Sequence, residues 1–403
     1  MPVYRYKAVT FDGKKIQGQY NANSKIEVIN MLKSDNIYPI EINEVIGSKD
    51  IKDLKIFNRV KTKDIAVFCR QFYTMLNSGV TIVNCLEVLK NQTENKKLKK
   101  TLGQVFESVQ KGMTLSESLK KHKDVFPELL INMVEAGEVS GNLDTIMDRM
   151  AIHYEKENKI NNKIKNAMIY PIILSIVATV VVIFLLTVVM PTFVSMFQQS
   201  GAALPVPTQI LLGISDIIKN YWYLIITLIT VLIYLFKKYY ATEKGKAYID
   251  KLKLKIPVLN NLIRKITTSR FTRTLSTLLS SGVPLIRALE IVSKIVGNRV
   301  IEEGLNTVKD EVRRGLDLAS SIEKLELFPP MVVSMIRIGE ESGSLDEILD
   351  KTANFYDEEV EDSLHRLTSL IEPVMIIIMA LIVGFIVISM VMPMFDMIST
   401  VRF

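Results

Sequence analysis

A stretch of nineteen uncharged and mostly apolar residues, bracketed by prolines, occurs twice in this chain, between Pro171 and Pro191 and between Pro373 and Pro393. As a helix rising 1.5 Å per residue, each stretch is about 28 Å long, close to the ~30 Å hydrocarbon core of a bilayer. A helix meets the demand that lipid makes, because it satisfies its peptide groups internally. A third run, residues 220–236, is uncharged over 17 positions and carries Tyr221, Trp222, Tyr223 and Tyr234 near its ends, as interfacial aromatics do. Three transmembrane helices are expected, at 169–190, 220–236 and 373–395. Proline disfavours helical geometry in the residue before it, so Pro191 and Pro393 are expected to end their spans at Met190 and Met392.

The remaining sequence is too charged for lipid. Lys and Arg number 50 against 43 Asp and Glu, a net charge of +7, and 23% of residues are charged while 48% are hydrophobic. That balance implies soluble domains tied to a few spans, and its apolar content excludes disorder. Cys69 and Cys85 fit neither a metal knuckle nor a disulfide scaffold and are expected to be reduced thiols.

Basic residues set the orientation. Arg149, Lys156, Lys159, Lys163 and Lys165 precede the first span, Lys237, Lys238, Lys244, Lys246, Lys251, Lys253 and Lys255 follow the second, and only Lys219 lies in the loop between. By the positive-inside rule, residues 1–168 and 237–372 are cytosolic, 191–219 form an external loop, and parity puts a tail at 396–403 outside. The N-terminal MPVYRYKAVTFDGKK lacks the apolar core of a secretory signal, so the first span is expected to direct insertion.

The chain also repeats itself at about 203 residues. FCRQFYTMLNSGV (68–80) matches FTRTLSTLLSSGV (271–283), KGMTLSESL (111–119) matches RGLDLASSI (314–322), and GEVSGNLD (137–144) matches GEESGSLD (339–346). The exits MPTF (190–193) and MPMF (392–395) match too, so the duplication includes a membrane helix. Phe68, Phe72, Met75 and Leu76, like Phe271, Leu275, Leu278 and Leu279, follow helical spacing. The fold class is therefore mainly α: a polytopic membrane protein with two homologous cytosolic helical bundles, at 63–168 and 237–372. A small α+β appendage of ββαβ order fills 1–50, with a hairpin turn at FDGKK and a Ser24/Glu27 capping box opening its helix, and 51–62 is a linker.

Two readings of the octet Gly-Glu-x-Ser-Gly-x-Leu-Asp stay open. It is a helix-to-helix turn, with Gly137 and Gly339 as helix stops, Gly141 and Gly343 in left-handed backbone, Asn142 and Ser344 as N-caps, and Ser344 with Glu347 as a capping box. Alternatively Glu138, Asp144, Glu340 and Asp346 form an interface to a partner or a cation, since capping does not need a glutamate after the first glycine. A helix continuing from each octet through Tyr154 or Tyr356 into the bilayer would be a stiff rod. The rods differ in charge, basic over 155–165 and acidic over 357–362, which would pair two halves or two subunits.

Signals of chemistry are missing. No phosphate-binding GxxxxGK[ST] is present, GEVSG is not a nucleophile elbow, and His122, His153 and His365 are scattered and expected to be solvated. The sequence thus offers no catalytic residue, cofactor site or metal site. The basic runs at Lys96–Lys100 and Lys237–Lys255 suit water or anionic membrane lipid, and no motif suggests nucleic acid.

The duplicated bundles, paired GExSGxLD loops, three spans and proline brackets together resemble the type II secretion F family over residues 1–403. These are bacterial inner-membrane platform proteins of type IV pilus and type II secretion machines. The resemblance implies partners rather than substrates: a hexameric pilus assembly or retraction ATPase, pilin subunits guided into a filament, other pilus inner-membrane proteins, and further copies in a dimer or tetramer. A pilus platform is favoured over a secretion or competence pseudopilus platform. A transporter would need polar residues in its spans, and a receptor would need a larger external domain.

Overall fold

The computed structural model describes residues 3–10, 15–22, 24–34, 37–45, 59–199 and 205–400. The hairpin turn expected at 11–14, the linker over 51–58, and parts of the expected external loop (200–204) and tail (401–403) lie outside the described residues.

The N-terminal unit is a three-stranded antiparallel sheet under one helix. Strands β1 (Val3–Thr10), β2 (Lys15–Asn21) and β3 (Ile37–Val45) lie in the order β2-β1-β3, and α1 (Lys25–Ser34) connects β2 to β3. Tyr4, Ala8 and Ile42 point to one face, where Val28 and Leu32 of α1 cover them. Ser24 Oγ accepts the Glu27 amide at 3.4 Å and so opens α1. Pro39 is tolerated because β3 is an edge strand.

The described residues of the larger unit form helices and the turns between them. Its first bundle comprises α2 (Thr62–Asn77), α3 (Ile82–Gln92), α4 (Lys96–Gln110), α5 (Leu115–Lys120), α6 (Glu128–Ser140) and the start of α7 (Leu143–Phe184). A π-helical turn, Leu185–Val189, leads into α8 (Met190–Gln199), and α9 (Val206–Tyr240) and α10 (Glu243–Lys253) follow. The second bundle comprises α11 (Pro257–Ser280), α12 (Leu285–Ile295), α13 (Arg299–Arg313), α14 (Leu318–Glu323), α15 (Pro330–Ser342) and the start of α16 (Leu345–Thr400). The periodic apolar stripes become the cores: α2 buries Phe68, Cys69 and Phe72, and α11 buries Phe271, Leu275 and Leu278. Phe68 meets Phe126 at 5.6 Å between ring centres, and its counterpart Phe271 meets Phe328 at 4.8 Å. Both cysteines are free and buried, and burial pushes the Cys69 thiol far above its usual range.

Among the described residues three helices are long and apolar enough to cross a membrane, within Leu143–Ser195, Val206–Tyr240 and Leu345–Met392. Their apolar windows are at most 17% buried within the protein, which suits side chains that face lipid. Helix α7 runs unbroken from bundle through Pro171, and α16 is 56 residues, about 84 Å long. The prolines do not end the helices as expected. Helix α8 carries Pro191, and α16 continues past Pro393 to Thr400. Residues expected to be external loop are helical over 191–199 and 206–219. Helix α9 is two segments joined at Tyr221, whose φ of −123° and ψ of 18° break the helix.

Candidate functional site

The octets are helix turns, but their glycines divide the work differently from the expectation. Gly141 and Gly343, at φ 75° and 68°, cap α6 and α15 in left-handed backbone. Gly137 and Gly339 lie inside those helices and are not stops. Their carbonyls accept the amides of Asn142 at 3.0 Å and Ser344 at 3.1 Å, which folds the chain tightly back. A Cβ at Gly137 would sit 3.0 Å from Ile146 Cγ1, and one at Gly339 would sit 2.9 Å from the Leu345 Cα, so glycine is required for close passage of the next helix. Asn142 makes no side-chain cap, and the expected Ser344/Glu347 box is replaced by other partners: Ser344 meets Ser342 at 2.7 Å and Glu347 pairs with Lys351.

The octet glutamates face inward to a task that the turn does not require. Glu138 accepts the backbone amides of Leu115 and Ser116 at 2.6 and 3.0 Å, and Glu340 accepts those of Leu318 and Ala319 at 2.7 and 2.9 Å. These are the first two amides of α5 and α14, which no intrahelical carbonyl can reach. The third is taken locally, by Thr114 Oγ1 from Glu117 and by Asp317 Oδ2 from Ser320. A carboxylate at a helix N-terminus also meets the positive end of the helix dipole. Asp144 is exposed, while Asp346 is half-buried and its carbonyl accepts a hydrogen bond from Ser276. Each glutamate is thus joined to the short helix of its own bundle. Sequence reasoning missed this pairing, although the TLSESL and DLASSI segments begin 23 and 22 residues before their octets. Among the described residues no group of three His, Cys, Asp or Glu side chains could hold a metal ion.

Beyond each octet an arginine clamps the rod. Arg70 on α2 bonds Asp148 at 2.6 Å and Glu155 at 2.8 and 2.9 Å, and its hydrogen bonds hold the Glu155 carboxyl below the usual range. Arg273 on α11 reaches the repeat-equivalent pair, Asp357 and, at 3.8 Å, Asp350. The opposite charge of the rods joins them within one chain. Lys156 bonds Asn354 at 2.8 Å and lies 3.9 Å from Asp350, Lys163 bonds Glu361, and Tyr170 donates to Glu372 at 3.2 Å. Between them Ile160 packs with Leu262, Val360 and Leu364. Helix α7 also meets α11, through Arg149 to Ser281 at 3.0 Å and Arg270 to Asn161 at 3.1 Å. His153 sits in this joint with only 5% exposure, contrary to the solvated position expected. Burial first, then the charges of Arg273 and Lys156, lower its pKa to about 3, so the imidazole is neutral.

Inside the apolar region the prolines leave carbonyls without donors, and α9 supplies them. The Met190 amide bonds Leu185 in the π turn and Pro191 has no N–H, so the Leu186 carbonyl lacks an intrahelical partner. Ser215 Oγ donates to it at 2.6 Å. In α16 the Ser389 carbonyl lies four residues before Pro393, and Thr208 Oγ1 donates to it at 2.6 Å. Thr208 and Ser215 are seven residues apart, hence on one face of α9, and both are buried beside Leu186, Met190, Leu211, Ile386 and Met390. Two prolines in equivalent positions are therefore accommodated by one helix that has no equivalent.

Comparison with known proteins gives this arrangement relatives. Residues 68–191 and 271–393 each match the family described as type II secretion system (T2SS), protein F, and residues 1–43 match the type II secretion system protein F N-terminal domain. The chain is 40% identical over 403 residues to the type IV pilus assembly protein PilC of Thermus thermophilus, covering 99% of both chains. It is 37% identical to the PilC of Myxococcus xanthus, over 99% of this chain and 96% of the relative. It is 33% identical to the type II secretion system protein F of Vibrio cholerae, over 98% of each.

Proposed function

This chain belongs to the type II secretion system protein F family, and we propose that it is the inner-membrane platform of a type IV pilus assembly machine, coupling a cytosolic hexameric ATPase to insertion of pilin subunits. The observation that carries the reading is the continuity of α7 and α16 from bundle to apolar span. Work done on a gripped domain crosses a bilayer through stiff helices that do not bend, and the Arg70 and Arg273 clamps fix each rod to its bundle. Relatives named for type IV pilus assembly, at 36–40% identity, favour the pilus over the secretion platform, whose named relatives are 30–33% identical.

In this reading both bundles and the N-terminal unit are cytosolic and the C-terminus is external, as the basic residues flanking the first two spans favour. Of the octet carboxylates, the exposed Asp144 is the one this reading assigns to the ATPase contact, since Glu138 and Glu340 act inside the bundles. A photo-crosslinker at Asp144 in cells tests it: the expected product contains the assembly ATPase, and capture of secretion-system components instead moves the platform to a secretion machine.

A further inference from the structure

The two halves share a sequence plan, yet they are not joined symmetrically. In the joint, a stripe of α7 made by Arg149, His153, Lys156 and Ile160 lies against α11 and α16, with Arg270, Arg273 and Thr274 lining the narrow space around His153. The repeat carries each of those positions to a counterpart 202 or 203 residues away. On α16 the matching stripe is Lys351, Phe355, Glu358 and Asp362, and all four are exposed. The receiving groove has its counterpart on the first bundle, in Lys63 and Val67 of α2 and Ile152 of α7, which are exposed as well.

A joint that uses face A of one repeat and face B of the next leaves one A and one B open at the ends. Such a heterologous contact is propagated by further copies rather than by self-complementary pairing. The chemistry of the open faces fits that use. Phe355, Val67 and Ile152 are large apolar side chains 40%, 43% and 41% exposed, and the repeat relation sets them opposite one another, where His153 meets α11 within the chain. Charge is complementary too. Asp362 falls opposite Lys63, the counterpart of Ile266, where the internal joint has the aliphatic Ile160, Leu262 and Ile266, while Glu358 takes the place of Lys156 and falls beside Ile152 and Asp148, the counterparts of Asn354 and Asp350, with Arg70 paired to that Asp148. Replacing an aliphatic cluster by surface charge gives a weaker, salt-sensitive contact than the internal one.

We infer that a second copy of this chain docks head to tail, seating the exposed α16 stripe of one copy in the α2–α7 groove of the next and so repeating the internal joint between chains. Two differently tagged full-length copies, one with Val67→Cys and one with Phe355→Cys, are produced together in membranes and oxidised. The expected result is a disulfide-linked species carrying both tags. Its yield falls at least fivefold with Asp362→Lys in the second copy and returns when Lys63→Glu is added to the first. An Asn161→Cys/Arg270→Cys pair within one chain reports that oxidation works. The inference is overturned if that internal pair closes and no mixed species forms. It is equally overturned if Val88→Cys, on another face, links to Phe355→Cys as well as Val67→Cys does, or if Lys63→Glu restores nothing.

Discussion

The first and second bundles keep the same interior and differ on the outside. In both, a glutamate of the octet closes a six-residue helix and an arginine holds the rod through two acids seven residues apart. At the surface the correspondence stops: His153 is buried where Phe355 is exposed, and Lys156 matches Glu358. Duplication preserved what each bundle needs to fold, while the outer faces diverged so that one half can seat the other. That is why the basic rod and acidic rod pair within a chain.

The shared interior can be broken most severely at the glutamates. Glu138→Ala leaves two buried helix-start amides without acceptors and is expected to cost about 3 kcal/mol of unfolding free energy, with Glu340→Ala costing a similar amount. Denaturant unfolding in detergent checks both. A large loss in one bundle and none in the other would end the equivalence of the two caps.

The next effect separates the halves. The pKa of His153 lies at about 3, below its unfolded value, so its contribution is present above pH 6.5 and is lost as pH falls toward 3. Between pH 7 and pH 5 this amounts to about 2 kcal/mol. His153→Phe, which installs the residue of the matching position, should remove that part of the slope. The charged groups facing it are Lys156, Glu157, Arg270 and Arg273. An unchanged slope in the variant would assign the acid sensitivity to the neighbouring carboxylates.

A smaller effect is expected in the apolar region. Ser215→Ala and Thr208→Val each remove the donor to a proline-orphaned carbonyl and should lower the melting free energy by about 1 kcal/mol, consistent with hydroxyl bonds between membrane helices. Equal losses sharpen the parallel between Pro191 and Pro393. A loss for Ser215→Ala alone would mean that the π turn is what makes the carbonyl costly.

These positions also mark where the sequence stops being readable. The duplication, the rods and the ββαβ unit were legible because helical period, charge-free length and strand alternation are local signals. The glutamate caps were not, because Glu138 acts on amides 22 and 23 residues earlier in the chain. Nor was the burial of His153, which depends on α11 arriving from the other repeat. Pro191 and Pro393 read as stops because local rules end a helix there, and the donors that let the helices continue come from α9. In each case a long-range partner supplied what the local rule lacked.

The central claim is that both rods are rigid from bundle to span, and local softening tests it most directly. Replacing residues 166–168 of α7 and 368–370 of α16 with glycine costs roughly 1 kcal/mol per position in helix stability and leaves both bundles, the Lys163–Glu361 pair, the basic residues before the first span and both apolar runs in place. Piliation is then counted in cells carrying the variant as their only copy. The account predicts normal insertion and normal recovery of the assembly ATPase with the protein, and no pili. Pili at the usual number would contradict it.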